Sequence, residues 1–379
     1  VELRVERDVL ADAVTWAAKT IPSRPAIPVL AGIKLVADGE GVLRVSAYDP
    51  ETTALVEAEA SVDTPGECLV NGRILADICR ALPNRPVDLT LDGTKLEVVC
   101  GNARFSLHSM ALDEYPALPD TPDVIGTVDG AEWLEAVTQV SSAASHDETL
   151  PLLVSVCVEI DGENITLMAT DRYRLAVREL TWSPAKTDVS DRILVKASRL
   201  SDIAKSYGSA GQISLTLDEV GNAKMIGFES VGRENTSRLI DGDYPQVRSL
   251  FPKEINGYAV VSRTELLEAI KRSRIVVERN AAVRLSFTEG QVTVEAGQGG
   301  DSAQAKEVLQ ASLNGEDIAM AFNPSYLQDA LAVTTSDYVR ISFTHASKPA
   351  VVSAQEELGG DDSLDFRVLL MPIRAFGVN

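Results

Sequence analysis

Leu10–Ala18 (LADAVTWAA), Leu134–Ser142 (LEAVTQVSS) and Leu267–Ile275 (LEAIKRSRI) carry one pattern, a short amphipathic helix with its apolar residues on one face. Aligning Ala13, Ala136 and Ala269 sets the copies 123 and 133 residues apart. Alternating strands and a tight turn follow each helix, at Asp38-Gly39, Asp161-Gly162 and Glu289-Gly290, and Asp-Gly between alternating strands is a strong hairpin signal. In the third copy Val283, Leu285 and Phe287 fall on one face, and Arg284, Ser286 and Thr288 on the other. A second half-unit recurs within each copy, as ILADICRAL (74–82), RLSDIAKSY (199–207) and YLQDALAVT (326–334), aligning Asp77, Asp202 and Asp329 at offsets of 125 and 127. Each of these helices leads into an alternating strand, VDLTL (87–91), QISLTL (212–217) or YVRISF (338–343). The first two copies end alike, in EYPALP (114–119) and DYPQVRSLFP (243–252), Pro-bearing linkers to the next copy.

Agreement in order and spacing across helix, hairpin, helix and strand predicts a threefold repeat of an α+β unit about 125 residues long. In each unit two helices cover one face of an antiparallel sheet and leave the sheet edges for neighbours. The domains fall at 1–120, 121–252 and 253–379.

Composition limits the function. The chain has 379 residues, 45% hydrophobic and 24% charged, an ordinary globular balance. It contains no run of 18 apolar residues and opens on VELRVERDVL, which predicts neither membrane spanning nor secretion. Cys68, Cys79, Cys100 and Cys157 sit in apolar segments without CxxC spacing and read as buried free thiols of a reducing, cytoplasmic compartment. Lysine and arginine number 35 against 56 acidic residues, a net charge of −21, which on average repels nucleic acid and anionic membranes.

Catalytic motifs are missing. There is no P-loop, no G-x-S-x-G, no H-E-x-x-H and no EF-hand loop. His108, His146 and His345 stand far apart, so neither a metal site nor a cofactor is expected. Gly297-Gln298-Gly299-Gly300 lacks the third glycine and following helix of a dinucleotide fingerprint, and reads as the strand-end turn equivalent to those after Ala47 and Ala169. The acidic pairs at 356–357 and 361–362 read as a solvated surface run.

Three stretches narrow the reading: ATDRYRLAV (169–177), LIDGDYPQVRSLFP (239–252) and VLLMPIR (368–374). With the repeat, and with VERDVL (5–10), SRPAIPVL (23–30), NGRILADICRALPNRP (71–86) and GNARFSL (101–107), the whole chain resembles the bacterial DNA polymerase III β subunit, the sliding clamp. The resemblance implies a head-to-tail homodimer whose six domains close a ring around double-stranded DNA, helices lining the hole and sheets outside. It implies no reaction of its own, a cytoplasmic, nucleoid-associated protein, and a processivity role for the replicative DNA polymerase. A ring holds duplex by topology, so an acidic exterior with a basic hole fits the charge. Candidates for the hole are Arg24, Arg73, Arg80, Lys196, Arg199, Lys205, Arg272 and Arg274, each of which reads alternatively as a solvated helix face.

The resemblance also implies a hydrophobic cleft for short linear motifs of polymerases, the clamp loader, repair polymerases and mismatch-repair proteins. Carried over by motif, it takes Leu153, Thr170, Arg172, Arg174 and Leu175, then Pro245 and Leu250, then Leu369, Met371, Pro372 and Arg374, with Asn323, Tyr326 and Pro349 flanking. Leucine, methionine and proline make an adaptable apolar pocket, with Thr170 and the arginines orienting the peptide. Plain core packing is the alternative for Leu153, Leu175 and Leu369. Ring closure is expected from Phe105 and Leu107 against Ile275; the alternative places Phe105 inside its own domain.

The chain departs from that pattern in three places. Arg172-Tyr173 stands where many relatives have Gly-His, making the rim bulkier and more basic. The loop HDETLPLL (146–153) is acidic at Asp147 and Glu148, and AFGVN follows Arg374. Two other readings remain open here: a paralogous clamp serving as a decoy or resistance copy, and a hydrolase using Asp171 with Arg172.

Overall fold

A computed structural model describes residues 1–277, 281–297 and 303–374. Among them are six α-helices: α1 (Arg7–Ala18), α2 (Gly72–Ala81), α3 (Gly130–Ser141), α4 (Ala197–Tyr207), α5 (Arg263–Ser273) and α6 (Pro324–Val333). They fall two to a repeat, where the apolar periodicity places them. Side chains cap several of them at the N-terminus: Asn71 accepts from the Ile74 amide at 3.0 Å, Ser262 from Glu265 at 3.4 Å, and Asn323 from Ser325 at 2.9 Å. Pro324 opens α6 at a position whose amide would lack a partner anyway.

The chain forms two compact units. One comprises Val1–Ala131, Ser183–Lys186 and Asp202–Leu239; the other comprises Glu132–Trp182 and Thr187–Ser201, and continues from Ile240. The middle repeat is thereby divided between them, and the strand pairing gives the reason. In the first unit, Arg233–Arg238 of the middle repeat pairs antiparallel with Thr52–Glu59 of the first, in the register Arg233↔Val56 to Ser237↔Thr52. That seam makes a nine-stranded sheet of two half-sheets. In the second unit Arg174–Thr181 pairs with Asp362–Leu370, from Arg174↔Leu370 to Arg178↔Phe366, within a twelve-stranded sheet.

This refines the expectation of one sheet per repeat. Each repeat contributes two half-sheets, and at the two seams a half-sheet joins that of the neighbouring repeat. A strand edge left bare would expose a row of unpaired amides and carbonyls, and pairing with the neighbour removes it.

One turn and one loop also differ from the sequence reading. The Glu289-Gly290 turn joins Val283–Thr288 to Gln291–Ala296 as expected, with Gly290 at φ 80°. The first-repeat turn is longer than Asp38-Gly39: Asp38 Oδ1 accepts from the Glu40 and Val42 amides, both at 2.9 Å, and Gly41 takes the left-handed conformation at φ 88°. Asp362 does not belong to a solvated run. It is half-buried, 3.3 Å from Arg340 and bonded at 2.6 Å by the Ser353 hydroxyl. Residues 298–300 of the glycine cluster and the 375–379 tail lie outside the described residues. All four cysteines are buried and free.

Candidate functional site

The second unit brings most of the expected cleft residues to the seam between Arg174–Thr181 and Asp362–Leu370. Leu175 and Leu369 are direct cross-strand partners and are 1% and 3% exposed, packed with Cys157, Met168, Val177, Leu194, Tyr244 and Val247. Two residues further out, past the Arg174↔Leu370 pair, the Met371 amide donates to the Tyr173 carbonyl at 2.9 Å. There the side chains emerge: Tyr173 is 55% exposed and Met371 43%. The apolar floor thus ends in an aromatic–thioether lip, chemistry suited to apolar anchors of a ligand.

The turn that presents Tyr173 is tightly tied. The Thr170 hydroxyl donates to the Arg174 carbonyl at 2.6 Å and accepts from the Arg172 amide at 3.1 Å. Asp171 Oδ1 accepts from the Tyr173 and Arg174 amides, each at 3.0 Å. Arg172 sits at φ 82°, the left-handed region that costs a side-chain-bearing residue roughly 1–2 kcal/mol. Glycine, expected at this position from the family resemblance, would take that conformation without penalty.

The polar groups correct the sequence reading. Thr170 and Arg174, expected to orient a ligand, are both 6% exposed and engaged within the chain. Arg174 donates from Nε to Asp171 at 3.1 Å and from Nη1 to Asp329 at 2.6 Å. Its guanidinium also lies 4.4 Å from the centroid of the Tyr326 ring. Tyr326 in turn stacks on Tyr173, centroids 6.2 Å apart and planes 21° off parallel. Burial pushes the Tyr326 hydroxyl pKa up, and the Asp171 carboxylate adds to the effect. Arg172 and Arg374 are the exposed cations of the expected set.

The remaining expected residues are less uniform. Leu250 is 57% exposed and Pro245 is exposed, and their buried chain neighbours Val247 and Tyr244 join the floor. Leu153 is half-buried, while its neighbour Leu152 packs on the floor cluster. Pro372 and Pro349 are half-buried, and Asn323 is engaged in capping α6. Sequence reasoning missed Tyr244, Val247 and Met168 in the floor, and Asp329 behind Arg174. Tyr244 is 3% exposed, its hydroxyl without a partner among the described residues, and burial pushes its pKa up. Asp329 left a signal, as the aspartate repeated in all three copies, and so did Tyr244, which with Val247 lies in the repeated DYPQV stretch.

The basic candidates are partly neutralised. Arg80 is bound to Asp77, Lys196 lies 2.9 Å from Glu148, and Arg272 makes a two-pronged contact with Glu307 at 3.1 and 2.5 Å. Arg73 donates to the Pro22 carbonyl at 3.0 Å, and Arg274 to Gln328 at 2.6 Å. Arg24 and Lys205 are exposed, and Arg199 is half-buried. Of the ring-closure candidates, Ile275 is 83% exposed and Phe105 38%, so Phe105 is not interior to its domain, whereas Leu107 is 6% exposed. Phe105 lies on Ala103–His108, the edge strand of a five-stranded sheet. Among the described residues no cluster of His, Cys, Asp or Glu could hold a metal ion, and no helix is long and apolar enough to cross a membrane.

Comparison with known proteins places the chain. Residues 1–119, 127–246 and 248–373 match, in order, the families described as DNA polymerase III beta subunit N-terminal, central and C-terminal domains. The chain is 48% identical to the beta sliding clamp of Streptomyces coelicolor, covering 99% of this chain and 100% of that protein. It is 40% identical to the beta sliding clamp homolog GriR of Streptomyces muensis over 98% of each. A crystal structure of the DNA polymerase beta subunit of Streptococcus pyogenes shares the fold, with a TM-score of 0.91 at 20% identity over 99% of this chain and 100% of that one.

Proposed function

This chain belongs to the DNA polymerase III beta subunit family, the beta sliding clamps, and we propose that it acts as a ring-shaped tether that encircles duplex DNA and holds a replicative polymerase on it. The observation that carries this reading is the match of all three repeats, in order, together with 48% identity along essentially the whole of a beta sliding clamp. Two copies associate head to tail, the exposed Phe105 on its edge strand meeting Ile275 of the second copy, and six domains close the ring. The domain boundaries lie near 120 and 252. Duplex is held by topology, so the net charge of −21 is no obstacle, and cations already neutralised by carboxylates suit sliding better than tight phosphate contacts would.

Partners dock through short apolar motifs on the floor of Leu175 and Leu369 and the lip of Tyr173 and Met371. They include the replicative polymerase, a clamp loader, and repair and mismatch-repair proteins. The protein performs no reaction. Asp171, the residue a hydrolase would need, is engaged with two backbone amides and Arg174. Higher identity to the Streptomyces coelicolor beta sliding clamp than to the clamp homolog GriR favours the ordinary replicative role over that of a specialised copy. The setting is cytoplasmic, at the nucleoid.

The test is topological. The protein is loaded by an ATP-driven loader onto a nicked circular plasmid, and the retained fraction is followed by gel filtration. It should stay on the circle at high salt and run off when a restriction enzyme linearises the DNA. Retention that ignores linearisation, or that disappears with salt alone, would refute encirclement.

A further inference from the structure

The aspartates aligned by the repeat have different surroundings. Asp77 is followed three residues later by Arg80 and Asp202 by Lys205, one helical turn away on the same face. Asp77 and Arg80 are ion-paired. In the third copy that position is Ala332, which is exposed. Without a cation on its own helix, Asp329 reaches off α6 and takes Arg174 Nη1 at 2.6 Å.

We propose that Asp329 is a positioning residue of the peptide site: it fixes Arg174 against Tyr326 so that Tyr326 and Tyr173 form a rigid aromatic ledge that favours partner motifs ending in an aromatic residue. This rests on the peptide-docking reading above. Arg174 is held from two sides, Nε by Asp171 and Nη1 by Asp329, and a guanidinium bound by two carboxylates keeps one orientation. Its face backs the Tyr326 ring, and Tyr326 backs Tyr173. The outer ring is fixed before any ligand arrives, and a preorganised surface loses less freedom on binding. An incoming phenyl ring gains a stacking partner there that a leucine does not. Asp329 itself touches no ligand.

The experiment uses the full-length protein and two fluorescein-labelled peptides, Gln-Leu-Ser-Leu-Phe and Gln-Leu-Ser-Leu-Leu, titrated by fluorescence anisotropy. The wild type should prefer the phenylalanine peptide. Asp329→Asn should reduce that preference by about three- to tenfold, the size of one aromatic pair contact, and Asp329→Glu should largely restore it. Ala332→Arg offers Asp329 the partner its counterpart has in the first repeat, and should reduce the preference likewise, without altering any residue of the site. Because Ala332 is exposed, a lowered Tm is not expected for that variant. If both variants keep the wild-type preference, or weaken both peptides equally, the positioning role is overturned while peptide docking stands. Failure of the wild type to bind either peptide overturns the docking reading and this inference with it.

Discussion

Leu175 and Met371 stand two residues apart along the same seam, yet truncating them should do different things. Leu175 is 1% exposed against Leu369 and the rest of the floor. Leu175→Ala therefore removes core packing, which costs about 2–5 kcal/mol. At roughly 2–4 °C per kcal/mol for a body of this size, a loss of about 3 kcal/mol lowers Tm by about 6–12 °C. Met371 is 43% exposed, so part of its side chain already lies in solvent. Met371→Ala should cost under about 1 kcal/mol in stability. What it removes is surface a ligand would cover: full burial of such a side chain is worth about 1.5–3 kcal/mol, and the open part amounts to about 1 kcal/mol, a five- to tenfold weakening. Differential scanning fluorimetry reads the first effect, and anisotropy of a labelled Gln-Leu-Ser-Leu-Phe peptide reads the second. A Met371→Ala protein that melts as early as Leu175→Ala, or that binds the peptide with wild-type affinity, would refute the division into floor and lip.

The same structure makes three further claims. Thr170→Val keeps the shape but leaves the Arg174 carbonyl with only the Asp171 amide at 3.4 Å and takes the hydroxyl acceptor from the Arg172 amide, and urea unfolding should show a loss of about 1–3 kcal/mol; an unchanged midpoint would mean the hydroxyl does not hold the turn. Burial pushes the Cys68 and Cys79 thiols from the ordinary 9.0 up to about 11 and about 12, respectively. Their neutral forms favour the fold fully below pH 9, and that contribution is lost as pH rises through 9 towards 11–12. A thiol reagent at pH 8 should accordingly label these two cysteines in urea and not in buffer. Ile275→Asp, at a side chain 83% exposed, should convert a dimer to a monomer in light scattering with little change in Tm, whereas Leu107→Asp should lower Tm because Leu107 is 6% exposed; a dimer that survives Ile275→Asp places ring closure elsewhere.

The local features were legible because local chemistry fixes them. Helices follow from apolar residues recurring once per turn, and the strands 212–217 and 338–343 match the alternating stretches residue for residue. The threefold repeat, the buried cysteines and the family motifs likewise lie in contiguous stretches of chain. Partnerships made across long separations were not legible. Nothing near Arg174 announces that its strand pairs with Asp362–Leu370, because antiparallel pairing is set by backbone groups that every residue carries. Only that pairing buries Leu175 and Leu369 and leaves Met371 at the lip, although all three are apolar residues in similar stretches. Charge partners behave the same way. Arg174 reads as a ligand-binding cation until the fold brings Asp329 to it, and Asp362 reads as solvated until Arg340 and Ser353 close on it. The sequence by itself determined which elements form and which family they belong to. The tertiary structure decided which of the named side chains are buried, which stay open and which are paired, because exposure and charge compensation belong to contacts between distant segments and to no segment alone.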